Sequence, residues 1–386
     1  MKSRVWRGVS LGLVCASLAF GVHAQGRYNG FDVSNASIDS DLILSGGPPR
    51  DGIPAIDAPQ FTTPEEATYL RDDDPVMGFR LDGIARAYPL RVLVWHEIVN
   101  DIINDRPFVV TYCPLCGSSL VFDGAVNDER LSFGVSGLLF QSDVLMYDRG
   151  TESLWSQLKL ECVSGPMVGT PLEWLPSEIL TFGAWKARHA KFQQEVLARP
   201  ESNGRFLRDY SRNPYEGYLQ NDAVWFGVPE NRLELPSKEW VVGVLLGSNA
   251  GAYPLRSLEA TSGIIDRLGD RNVRVSFDPV TQDVRVWDVD QDRPIPFTRS
   301  FWFAWQAFYP ETRLRLPSPE VTPVGLRFFS LAPTSGDAVI ESSLDLHRWN
   351  LEERVPEPEG LLNSVIPVPQ EASSFFLRVV PDPGGP

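Results

Sequence analysis

The sequence predicts a mainly β, α+β protein: an internally duplicated core of two similar lobes, followed by an all-β module at the C-terminus. Three observations carry this: short alternating strands punctuated by turn residues, one segment that recurs 165 residues later (Tyr88 to Tyr253), and a proline-stiffened break after Leu316. The chain has 386 residues, 43% hydrophobic and 22% charged, with 31 Gly and 32 Pro. That length suggests two or three domains, and the apolar fraction excludes wholesale disorder. Asp and Glu number 50 against 35 Lys and Arg, a formal net charge of −15. An acidic chain without a basic run lacks the footprint that holds a phosphate backbone, so nucleic acid is excluded as a partner.

In chain order, residues 1–24 read as a signal peptide. Lys2, Arg4 and Arg7 form the basic start, Val9 to Phe20 the apolar stretch, and Val22-His23-Ala24 the cleavage signal. The expectation is an extracytoplasmic protein, periplasmic or secreted, with no integral membrane segment once the signal is removed. Cleavage discards Cys15 and leaves Cys113, Cys116 and Cys162, an odd number for a compartment that favours disulfide pairs.

Residues 25–60, rich in Gly, Pro, Asp and Ser, read as an extended N-terminal segment. Thr62 or Thr63 then caps a short helix with Pro64, Glu65 and Glu66 in its first turn. The duplicated core spans 61–315, with copy one at about 78–160 and copy two at about 240–310. Tyr88-Pro89-Leu90-Arg91 recurs as Tyr253-Pro254-Leu255-Arg256, and Asp101, Arg106, Val110, Pro114 and Asp123 fall on Asp266, Arg271, Val275, Pro279 and Asp288 without a gap. Each copy predicts two alternating strands, 108–112 with 119–122 and 273–277 with 284–287. Ala184–Leu197 reads as an amphipathic helix, and Phe301–Phe308 as a short aromatic helix or strand. A Pro-rich linker at 316–323 leads to the β module, 324–386, with strands at 326–331, 338–342 and 375–380.

Cys113-Pro114-Leu115-Cys116-Gly117 is the sharpest chemical motif. Two sulfurs two residues apart can share one metal ion at the end of a hairpin. His96 supplies a natural third ligand, with Glu97 beside it to orient the ring or move protons. Copy two replaces His96, Glu97, Cys113 and Cys116 together, by Thr261, Ser262, Asp278 and Thr281. The scaffold therefore does not need them to form its hairpin. Copper or zinc suits two sulfurs and an imidazole, with Met146 a further soft donor. Two alternatives stay open: a thiol–disulfide oxidoreductase at the same cysteines, and a carbohydrate- or partner-binding module with a structural disulfide and Trp155, Trp225 and Trp240 along a groove. A small molecule, a metal donor or acceptor, or an extracellular protein would be the partner.

Ala85-Arg86-Ala87-Tyr88-Pro89-Leu90, His96-Glu97-Ile98-Val99-Asn100-Asp101 and Thr111-Tyr112-Cys113-Pro114-Leu115-Cys116-Gly117 together resemble a widespread bacterial and archaeal domain of unknown function. Phe133–Gly137, Met146–Arg149 and Thr151–Gln157 extend the resemblance, which covers roughly residues 50–315. It implies that His96, Cys113, Cys116, Asp148, Trp155 and Gln157 belong to the family pattern, and that Cys162 departs from it. Ile340–Trp349 resembles a small β module at the C-termini of secreted bacterial proteins, where His347 is a surface residue.

Overall fold

The computed structural model describes residues 26–229, 232–259, 263–316, 320–322, 325–331, 337–344, 348, 350–356, 361–368 and 375–382. The expected signal peptide, His347, Thr261, Ser262 and residues 317–319 and 323 of the Pro-rich linker lie outside the described residues. Strands far outnumber helices, so the chain is mainly β.

The lobe that carries the cysteines starts with the hairpin β1 (Pro75–Leu81) and β2 (Ile84–Pro89). Helix α1 (Leu90–His96) follows directly, then a meander of β3 (Ile98–Ile103), β4 (Arg106–Cys113) and β5 (Ser118–Asp123). Pro89 serves as the N-cap of α1, its fixed φ leading the chain out of β2. A second sheet inserts here: β6 (Phe133–Phe140), β7 (Asp143–Asp148), β8 (Leu154–Ser156) and β9 (Glu161–Ser164), edged by Ile43–Ser45 from the N-terminal segment. The lobe closes with β10 (Glu178–Thr181) antiparallel to β1, α2 (Phe182–Arg188), and β11 (Gln193–Leu197) parallel to β2.

The helix expected over Ala184–Leu197 therefore ends early. Helix α2 stops at Arg188, and residues 193–197 extend instead, because pairing with β2 and burial of Val196 and Leu197 outweigh local helical periodicity. The short helix expected after Thr62 is only a turn, although Thr63 Oγ1 does accept from the Glu66 amide at 3.3 Å.

Residues 240–288 follow the same succession as residues 75–123. Here β12 (Trp240–Leu246), β13 (Asn249–Pro254), α3 (Leu255–Glu259), β14 (Ile264–Leu268), β15 (Arg271–Asp278) and β16 (Asp283–Asp288) are followed by β17 (Phe297–Phe301), α4 (Trp302–Phe308) and β18 (Arg313–Leu314). Strand β17 pairs antiparallel with β12 and β18 parallel with β13, as β10 and β11 pair in the first lobe. Particular contacts recur too. Tyr88 donates to Asp101 Oδ2 at 2.5 Å and Tyr253 to Asp266 Oδ2 at 2.9 Å. Gly78 lies under the Trp185 ring and Gly243 under the Trp305 ring, each leaving no room for a Cβ. The lobes also meet reciprocally: the Phe301 amide donates to Cys116 O, and the Thr181 amide to Thr281 O, both at 2.8 Å.

The C-terminal segment forms two three-stranded antiparallel sheets, one from 320–322, 325–331 and 361–366, the other from 338–343, 350–355 and 376–381. Among the described residues no helix is long and apolar enough to cross a membrane.

Candidate metal centre

Cys113 and Ser118 are the last register pair of the β4–β5 hairpin, so the loop between them holds Cys116 close to Cys113. Gly117 sits at φ 66°, and a Cβ there would lie 2.4 Å from the Trp240 ring; only glycine satisfies both the left-handed backbone and the close approach. The tight turn between β6 and β7 comes over the same sulfurs. Its residues Gln141 and Ser142 take φ 51° and 66°, the primed-turn geometry of a two-residue hairpin. That turn directs the Ser142 carbonyl at both thiols: Cys116 Sγ donates at 3.3 Å and Cys113 Sγ stands 3.9 Å away.

The next residue, Asp143, completes the cluster. Ligand atoms of Cys113, Cys116 and Asp143 all lie within 4.8 Å of one another, and all three residues are buried. Asp143 Oδ2 accepts from the Leu158 amide at 3.0 Å, and Oδ1 lies 3.1 Å from Ser118 Oγ. Ser118 Oγ is also 2.6 Å from Gln157 Oε1, whose Nε2 donates to Thr111 Oγ1 at 2.8 Å. Thr111 in turn donates to Leu120 O at 3.0 Å. This chain has a polarity. Thr111 spends its proton on a carbonyl and must accept from Gln157, and Gln157 Oε1 takes the one proton of Ser118. Ser118 then faces Asp143 with a lone pair, a contact satisfied when the acid carries its proton.

The electrostatics agree. Burial pushes Asp143 up to about 7, against the hydrogen bond from the Leu158 amide. Burial, with Asp143 nearby, pushes Glu97 up to about 8, while the Tyr215 hydroxyl opposes the shift. The Cys113 thiol is raised by burial, and Cys116 well above the usual thiol value by burial and by Cys113 beside it. Four ionisable acids thus share one interior region. Among the described residues no Lys or Arg forms an ion pair with Asp143 or Glu97.

The expected ligand set of His96, Cys113 and Cys116 needs correction. His96 ends α1, and Glu97 follows at φ 59°, so the adjacent side chains leave the helix end on different sides. His96 Nδ1 lies 2.7 Å from Pro54 O and Nε2 2.7 Å from the Tyr210 hydroxyl. Since a carbonyl only accepts, Nδ1 carries the hydrogen and Nε2 accepts from Tyr210; burial lowers the pKa of this neutral ring. His96 lines a separate cavity of about 540 Å³ with Ile56, Tyr69, Arg199 and Phe206, and it does not join the cluster at the sulfurs.

Of the expected supporting residues, Gln157 reaches Asp143 through Ser118 and Glu97 lies near the acids. Met146 instead pairs in register with Trp155 within the apolar core. Asp148 anchors the turn after β7, accepting from Trp155 Nε1 at 2.9 Å and from Thr151. Cys162 donates to Ser164 O at 3.3 Å, burial pushes it up to about 12, and it stands outside the cluster. The three tryptophans do not form a groove: Trp155 is fully buried, Trp240 packs on Phe301, and only Trp225 is exposed. Sequence reasoning missed Asp143, Ser118 and Thr111. The available signal was an acid placed directly after the Gln141-Ser142 turn and before the apolar run Val144-Leu145-Met146.

The connection between the lobes lies across this region as a strap. The Tyr218 hydroxyl donates to Leu115 O at 2.9 Å, Tyr215 bonds Glu97, and Tyr210 meets His96. Ser142 Oγ donates to Phe226 O, and Lys238 Nζ stands 3.3 Å over the Tyr218 ring. Beneath the strap, Ile53, Glu97, Leu115, Val144, Tyr215 and Phe226 line a cavity of about 130 Å³.

Fold and site together define a mainly β protein with a buried dithiol–carboxylate cluster at one hairpin end. The chain belongs to the DUF3179 family, described as a protein of unknown function, whose pattern matches residues 50–312. Neither the curated proteins nor the solved structures contain a match.

Proposed function

We propose that this is an extracytoplasmic metal-binding protein that holds one divalent ion at Cys113, Cys116 and Asp143. The observation that carries the reading is a buried cluster of two thiols and a carboxyl, with a further carboxyl nearby and, among the described residues, no Lys or Arg ion-paired to either acid. Such a region is stable empty only if its acids stay protonated, and a divalent cation exchanges those protons for ligand bonds. Two thiolates with one carboxylate oxygen form a borderline donor set that suits zinc. Cu(I) prefers thiolate and thioether sulfur, and Asp143 brings a hard oxygen donor to the group instead. Ser118 and Gln157 orient Asp143 from behind, as outer partners commonly orient ligands. Three protein ligands leave one coordination position for water or a transferred ligand. We also infer that the two lobes arose by duplication and that only the first carries the ligands; Thr281 stands where Cys116 does and keeps its carbonyl contact alone.

Metal analysis of protein purified without an affinity tag tests this. About one equivalent of zinc is expected, lost in Cys116→Ser and reduced at least tenfold in affinity in Asp143→Asn. No bound ion and no cobalt–thiolate charge-transfer band on cobalt addition would reject it. A thiol–disulfide reaction is the second reading, favoured by the hydrogen-bonding proximity of the two free sulfurs. It lacks a helix N-terminus to acidify either thiol. Alkylation trapping of a reversible Cys113–Cys116 disulfide, with disulfide reductase activity, would support it.

A further inference from the structure

The cavity of about 130 Å³ under the strap has a composition of its own. Its walls are aliphatic, from Ile53, Leu115, Val135, Leu139 and Val144, and aromatic, from Tyr215, Trp225 and Phe226. Among the described residues Glu97 is the one carboxyl in the lining, only 6% exposed, and no Lys, Arg or His lines the space. Its size is close to that of an engineered apolar cavity of about 150 Å³ that admits benzene, so it suits an organic molecule of a few heavy atoms.

We propose that this cavity binds a small aliphatic amine as its ammonium ion, the head group donating to Glu97 and lying against the Tyr215 and Trp225 rings, with the alkyl chain among Leu115, Leu139 and Val144. Aromatic rings beside a carboxyl are the arrangement that selects organic cations, and Tyr215 and Trp225 stand together in the lining, tilted 34° to one another with centroids 6.3 Å apart. Anions are rejected because the walls offer them no counter-charge, whereas an ammonium pairs with Glu97 as a carboxylate, the proton that the acid holds in the empty cavity leaving to solvent as the amine binds. A neutral alcohol of the same shape fills the apolar part but forgoes the charge-assisted bond. The inference does not require an ion at the sulfurs, since the cavity lining includes neither cysteine.

Calorimetric titration of chelator-treated protein at pH 7 and fixed ionic strength, with n-butylammonium, 1-butanol and butyrate as probes, tests it. Expected is amine binding at least tenfold tighter than alcohol, with butyrate silent. Glu97→Gln is expected to erase that preference while retaining a cooperative unfolding transition, and Leu139→Phe to reduce binding of both amine and alcohol. Cys116→Ser is expected to keep amine binding, so this inference and the metal reading fail separately. Equal affinity for amine and alcohol, an undiminished amine preference in Glu97→Gln, or no binding of any probe would overturn it.

Discussion

Replacing Glu97 by Gln removes the most strongly perturbed carboxyl near the cluster with almost no change in shape, and the consequence for stability can be worked through. Glu97 is raised from 4.5 to about 8, first by burial and then by Asp143. A folded-state acid with a raised pKa holds its proton where the unfolded chain has released it. The native state therefore binds the extra proton, and stability falls as pH rises between those two values. The slope is about 1.4 kcal/mol per pH unit for one group. Between pH 6.5 and 8 Glu97 alone removes on the order of 2 kcal/mol, and Asp143, raised to about 7, a smaller part. That window is well chosen. His96, lowered from 6.5, acts in the opposite sense only below its ordinary value, and the thiols, raised above 9.0, contribute only at higher pH. Urea unfolding of chelator-treated protein under reducing conditions, at half-unit steps across the window, should show wild type losing roughly 2–3 kcal/mol and Glu97→Gln about 1 or less. Parallel lines for the two proteins would refute the assignment of Glu97 as a buried, protonated acid.

Four further outcomes are expected. Gly243→Ala forces a Cβ to within 2.3 Å of the Trp305 ring and should cost about 1–3 kcal/mol by denaturant unfolding, with Gly78→Ala under Trp185 costing a similar amount. Tyr88→Phe and Tyr253→Phe each remove a hydroxyl donor to a largely buried aspartate, Asp101 or Asp266, and should destabilise by about 1–2 kcal/mol apiece, additively because the sites lie in different lobes. Cys162→Ala should leave metal stoichiometry unchanged, since that thiol bonds to Ser164 O and Ser153 and stands outside the cluster; a lost ion would place Cys162 among the ligands. Tyr218→Phe strips the donor from Leu115 O and should raise hydrogen exchange at residues 114–118 while shifting stability by about 1 kcal/mol.

Much of the lobe architecture was written in local pattern. The β4–β5 and β15–β16 hairpins were expected within two residues of where they lie, because Pro114 and Pro279 interrupt clean alternation. Residues 193–197 were misread because their apolar positions fit a helix as well as a strand, and only the distant β2 edge decides between them. The sulfurs were legible as a pair, for spacing alone brings Cys113 and Cys116 together. The third ligand was not. Nearness in sequence favoured His96, whereas the fold turns its ring toward Pro54 and Tyr210. Asp143 arrives from another hairpin, and a tertiary meeting of two turns leaves no periodic trace in either. Ser118 was hidden for the same reason: its importance lies in the Asp143–Gln157 chain it joins.

The strap has a kinetic meaning beyond its contacts. It crosses the hairpin loop on tyrosine hydroxyls, and Tyr218 is pinned from outside by the Lys238 ammonium, which also donates to Asn221 O at 2.7 Å. If the proposed ion or amine is held below Leu115, its entry and exit would depend on those bonds breaking together. Residence time would then be governed by how often a stretch of backbone peels away, so a weakly held guest can still be a slow one.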